Sequence, residues 1–222
     1  MADFVVLATA DWDHPLWTNK QHTALSLVEN GHRVLYVESL GLRPPRASTS
    51  DGLRIVRRLQ RMLRPPRQVR QNLWVWSPAV LPGGTKGRAL TLNRGLFRAG
   101  LAFVLRLLRF HKPLLWTYNP LTRLYLALNN FSGSVYHCVD SIQDQPGMPS
   151  ALIERGERDL CSSVNVVLTT APELQRRLEP LNPHTYFFGN VADASHFHQA
   201  LESELPCPDD LAKVSSPRVL FV

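Results

Sequence analysis

With 222 residues, 44% of them hydrophobic, the chain is long enough to bury one substantial core and too apolar to be a disordered segment. No stretch approaches the roughly 18–20 apolar residues of a membrane span, and the N-terminus lacks the basic region and long apolar run of a secretory signal, so the expected location is the cytoplasm. Net charge is +7, and it is unevenly placed: from Gly52 to Val139 there is no Asp or Glu against fifteen Lys and Arg, which points to an anionic partner.

In chain order, Phe4–Thr9 (FVVLAT) reads as a first buried strand. The loop 10–17 follows, then an amphipathic pattern on Ala24, Leu25, Leu27 and Val28, with Gly31 as a helix C-cap. Arg33–Val37 (RVLYV) reads as the second strand, so the chain opens on a β-α-β unit with a right-handed crossover and a parallel sheet. The first turn, ADWDHPLW, has no glycine and therefore lacks the G-x-G-x-x-G that lets backbone approach a dinucleotide pyrophosphate. Instead this loop offers flat apolar faces beside hydrogen-bonding groups, which suits a sugar or another polar ligand, with Trp12, Asn19 and Gln21 as the candidate contacts. The competing reading is that its tryptophans only plug the end of the sheet. His14 with Asp11 and Asp13 has no helical H-x-x-x-H spacing to fix two ligands on one face, and no metal is assigned.

The segment from Gly41 to Arg70 is basic, bracketed by the proline pairs Pro44–Pro45 and Pro65–Pro66. Within it Leu53, Val56, Leu59 and Leu63 recur at helical spacing among Arg54, Arg57, Arg58 and Arg61, the pattern of a basic amphipathic helix that either lies on an anionic bilayer or docks on the domain. Leu73–Ser77 (LWVWS) is a third strand, and the following Pro82-Gly83-Gly84 reads as a turn. A long helix over 89–111 carries Phe97, Leu101, Val104, Leu105 and Leu108 on one side, flanked by Arg94, Arg98, Arg106 and Arg109. Core packing is the first role expected of it; Arg98 joins the candidate membrane or phosphate contacts.

Leu114–Tyr118 (LLWTY) is the fourth strand, and Asn119-Pro120 opens a helix to Leu128. Ser134–Val139 reads as a buried parallel strand with Asp140 at its carboxyl end, where open α/β sheets place their ligands. A helix over 151–161 shows Glu154, Glu157 and Asp159 as a solvated face; Val164–Thr170, a short helix and Thr185–Phe188 complete the pattern, which reaches Gly189-Asn190. The architecture expected is α/β, a Rossmann-like doubly wound parallel sheet over residues 1–200, a linker over 201–216, and at 217–222 the first strand of a second domain. Cys138, Cys161 and Cys207 form no metal spacing and read as reduced thiols.

Several motifs recur together: W-x-x-P-x-W-x-N-x-Q from Trp12 to Gln21, G-H-R-V-L-Y-V-E from Gly31 to Glu38, Y-H-C-V-D from Tyr136 to Asp140, V-V-L-T-T from Val166 to Thr170, and N-V-A-D-x-x-x-F from Asn190 to Phe197. In this order the chain resembles the N-terminal half of GT-B glycosyltransferases, in the broad group that builds bacterial polysaccharides and lipid-linked sugars and includes teichuronic-acid and glucuronosyl-type enzymes. The resemblance implies an acceptor-binding domain, with a second domain holding the nucleotide-sugar donor and no further cofactor. It implies Asp140 as the base that takes the acceptor hydroxyl proton, where many relatives have His, and adds Asn119 and Asn190 to the substrate contacts. The carboxylate would do this best if partial burial raised its pKa; the other roles open to it are capping the next helix and hydrogen-bonding loop amides. The basic middle fits a lipid-linked acceptor at an anionic membrane surface, hence a peripheral protein on the inner face, and no nucleic-acid signature is present. The rival expectation is an incomplete fragment acting as a membrane-docking or partner-binding module.

Overall fold

The computed structural model describes residues 1–40, 65–81, 84–192, 194–201, 206–215 and 217. The basic helix predicted around Arg54, Arg57, Arg58 and Arg61, the dipeptide Pro82-Gly83 and the strand predicted at 218–222 lie outside them.

The fold is α/β and doubly wound. Among the described residues eight strands form one sheet: β1 (Asp3–Leu7), β2 (Arg33–Val37), β3 (Arg67–Arg70), β4 (Leu73–Trp76), β5 (Leu114–Thr117), β6 (Gly133–Cys138), β7 (Val166–Thr169) and β8 (Thr185–Phe187). Their order is β3-β4-β2-β1-β5-β6-β7-β8, parallel throughout except for β3, which pairs antiparallel with β4. The central strands are covered on both faces, and so they are continuous apolar runs rather than alternating ones. Val5 and Leu7 face one layer and Phe4 and Val6 the other.

Helix α1 (Asn19–Glu29) covers the face of Val6, Val34, Tyr36 and Val75 through Ala24. Helix α2 (Gly87–Leu107) covers the opposite face, where Phe97, Leu101 and Val104 pack on Val5, Leu35, Val37 and Leu115. Full burial of a side chain such as Phe97 contributes about 1.5–3 kcal/mol. After the short α3 (Thr122–Tyr125), α4 (Ser150–Cys161) and α5 (Pro172–Leu178) close the same face over Tyr136, Cys138 and Val167. Right-handed crossovers require this division, since the chain winds from β1 toward β4 and later from β5 toward β8.

One strand was not predicted and one predicted face is corrected. The polar RQVR segment is an edge strand, β3, joined to β4 by a turn in which Asn72 takes φ 64°. Glu157 is not solvated: it is 2% exposed, accepts hydrogen bonds from Tyr136 Oη (2.7 Å) and Arg177 Nη1 (2.5 Å), and lies behind β6. Burial beside that carboxylate pushes the Cys138 thiol up to about 12.

The chain divides into two compact units, Met1–Gly189, which holds the sheet, and Asn190–Val222. Among its described residues the second has two short α-helices, α6 (Ala194–His198) and α7 (Asp209–Ala212); α7 lies within the segment predicted as linker and carries Asp209 and Asp210 in its first turn, the end that favours acids. Among the described residues no helix is long and apolar enough to cross a membrane.

Candidate functional site

Strand order reverses between β1 and β5, and the carboxyl edge beside that reversal is where an open α/β sheet receives a ligand. One wall is the loop after β1. Trp12 is 7% exposed, packed at 5.1 Å on Tyr36 and 5.0 Å on Trp17, with its backbone N–H donating to Glu38 Oε1 at 2.9 Å. Glu38, itself buried at the end of β2, also accepts from the Ser77 hydroxyl after β4. The loop is thereby tied across three strands, and Trp12 plugs the sheet while the more exposed Trp17 lies outside it.

Gln21 is fully buried. Its Oε1 accepts the Thr18 N–H at 3.1 Å and its Nε2 donates to the Asp11 carbonyl at 3.1 Å, closing a capping box at the start of α1. Asn119 is 1% exposed, and its Oδ1 accepts the Leu121 N–H at 2.8 Å to turn the chain into α3. Trp12, Gln21 and Asn119, predicted as substrate contacts, are each buried in the loop they organise, and Asn119 Nδ2 has no hydrogen-bond partner among the described residues. Asn19 is half-buried at the start of α1, and Asn190 is exposed at the start of the second unit. Arg98 donates from Nε to the Tyr125 carbonyl at 2.7 Å, as Arg94 does to Leu124 at 2.8 Å, so both fasten α2 to α3.

What the topology gathers at the switch point is a different set. Tyr118, just past β5, donates its hydroxyl to Thr23 Oγ1 at 2.8 Å and lies 3.1 Å from His137 Nδ1 on β6. The Tyr118 hydroxyl also lies 3.3 Å from the Asn19 carbonyl, so it joins α1 to the imidazole of β6. Burial, and secondarily the Lys20 charge, hold His137 down at about 4, so the ring is neutral at pH 7. Lys20, in the first turn of α1, is 8% exposed with Nζ 5.7 Å from the Tyr118 ring centroid. Burial lowers its pKa and the Asp140 charge works the other way.

Asp140 is exposed, two residues past β6, so the partial burial expected of a catalytic base does not occur. The capping role fails as well, since the turn Ile142–Asp144 begins at Ser141 without a side-chain cap. The strand end beneath it is fixed by Thr170 Oγ1, which donates to the Val139 carbonyl at 2.9 Å. The result is a rim carboxylate coupled to a buried ammonium over an aromatic floor, with a neutral imidazole beside it. Such a set can hold an anionic group at Lys20 and accept a proton at Asp140. Among the described residues, no three His, Cys, Asp or Glu side chains gather as a metal-ion site.

Lys20, Tyr118 and His137 were not singled out by sequence. The signal available was Lys20 itself: a cation in the first turn of a helix opposes the macrodipole and is kept only for a reason outside the helix. Comparison of the chain with protein families and with curated proteins finds no match.

Proposed function

We propose that this chain is the acceptor-side domain of a glycosyltransferase of the GT-B kind. It serves transfer of a hexosyl group from a nucleotide-sugar, held by a second domain, to a hydroxyl of a lipid-linked or saccharide acceptor on the cytoplasmic side of a membrane. The observation that supports it best is the gathering of Lys20, Tyr118 and His137 at the switch point, with Asp140 just past the end of the same strand as His137. Asp140 takes the acceptor proton as the sugar leaves its diphosphate, and an exposed carboxylate can reach a bound hydroxyl directly. Lys20 holds the negative charge of that carboxylate or of an acceptor phosphate in place. Neutral His137 keeps a second cation out of the same space.

The test is Asp140→Asn in the protein expressed from its whole gene, assayed with radiolabelled nucleotide-sugars and a lipid extract as acceptor. Transfer is expected to fall by about 10²–10⁴-fold with donor binding intact. Turnover within a few-fold of wild type would sink the assignment. The second reading, an incomplete module that docks on a membrane or partner, is favoured by the outer face of α2.

A further inference from the structure

Helix α2 presents two apolar faces where the core uses one. Its inner face is seated on the sheet, and Gly100 allows the close approach, since a Cβ there would stand 2.8 Å from Trp76 Cζ2. On the other side Leu92, Leu96, Ala99, Phe103 and Leu107 recur at alternating helical spacing, a stripe about 22 Å long. Leu92 is 51% exposed, Leu96 41%, Phe103 65% and Leu107 56%. An open groove of about 610 Å³ runs over Leu92, Gly95 and Leu96, with Arg88 on its lining.

Charge decides the occupant. Lys86 and Arg88 at one end of the stripe, and Arg106, Arg109 and Lys112 at the other, are exposed and carry no ion pair within the described residues. Lys86 and Arg88 stand at the helix N-terminus with no acid in its first turn, where cations work against the macrodipole. The sequence from Gly52 to Val139 supplies no carboxylate that an anionic surface would repel. An apolar strip bracketed by free cations matches the chemistry of an interfacial helix.

We propose that the outer face of α2 docks on an anionic lipid bilayer, with its leucines and Phe103 entering the acyl boundary and the terminal cations meeting headgroup phosphates. This rests on α2 alone and holds whether or not the switch point transfers sugar.

The experiment is flotation of the full chain with vesicles of phosphatidylcholine alone and mixed with phosphatidylglycerol. The chain floats with the mixed vesicles only, and less as salt shortens the screening length from about 10 Å at 0.1 M to about 3 Å at 1 M. Leu96→Glu and Phe103→Glu each weaken binding about ten-fold or more. Arg88→Gln and Arg106→Gln weaken it about five-fold each. All four positions are exposed, so circular dichroism and Tm should match wild type. Absence of wild-type binding overturns the proposal. Binding that survives Leu96→Glu and Phe103→Glu also overturns it, by placing the membrane contact elsewhere, the basic 53–64 segment included. A dimer that Phe103→Glu splits, in a protein indifferent to vesicles, assigns the stripe to a second copy instead.

Discussion

His137 and Lys20 both lie against the Tyr118 ring, and burial first, with the Lys20 charge second, keeps the imidazole neutral. The consequence for stability has a definite sign. An unfolded histidine titrates near 6.5, whereas the folded one is held down at about 4. Above pH 6.5 neither state binds the proton and His137 leaves stability unchanged. As pH falls from about 6.5 toward 4 the unfolded state gains a proton that the folded state refuses, so stability drops, by about 3 kcal/mol at the limit. Urea unfolding at pH 7.5 and pH 5, for wild type and His137→Gln, checks this: the variant should lose much of the acid slope. A direct check is the imidazole resonance of His137, expected to stay flat through pH 5.5. A midpoint near 6.5 would mean that the ring is solvated and that the switch point is more open than described.

At the scale of elements, two helix glycines with opposite surroundings separate packing from propensity. Gly95 on α2 would place a Cβ in open space, whereas Gly156 on α4 would place one 2.6 Å from Leu121 Cδ2 and 3.2 Å from the Pro120 carbonyl. Gly95→Ala should therefore stabilise by about 0.5–1 kcal/mol, the propensity gain alone. Gly156→Ala should destabilise by about 1–3 kcal/mol, because overpacking outweighs that gain and α4 is pushed off the loop that carries Asn119. Thermal melts of both variants test it, and a stabilising Gly156→Ala would show that this contact is loose. The elements most legible in the sequence were of the same buried kind. The strands predicted at Arg33–Val37 and Leu114–Tyr118 are found at Arg33–Val37 and Leu114–Thr117, legible because both their faces are covered. By contrast β3 has three exposed residues and one half-buried one, with charges at both ends suited to an edge, and so gives no apolar signal. Asn72 in its turn was the one clue. The site was legible only in part for a related reason: Asp140 announces itself at a strand end, but Tyr118 and His137 sit at the close of otherwise apolar runs. Their partner Lys20 comes from the first crossover helix, and only the strand order brings the three together.

For the sheet as a whole, rigidity should follow position. Val5, Val6, Leu35, Leu115 and Tyr136 on β1, β2, β5 and β6 are fully buried, while at one edge Tyr186 and Phe187 on β8 are 49% and 44% exposed. At the other edge β3 is irregular, its register shifting between Gln68 and Arg70. Backbone amides of the four central strands should exchange with solvent only through global opening, which for a domain of ordinary stability slows them by about 10³-fold or more. Those of β3 and β8 should exchange first, by local opening at the edges. Hydrogen exchange read by mass spectrometry of peptic peptides resolves this gradient. The outcome bears on the switch point, because Tyr118 follows β5 directly, Asp140 stands two residues past β6 and His137 lies within β6. A site mounted on slow strands is preorganised, with little reorganisation left for the moment of proton transfer. Peptides of β6 that exchange as fast as those of β8 would mean that His137 and Asp140 move relative to Lys20. A carboxylate adrift from its ammonium is a poor candidate for the base at Asp140.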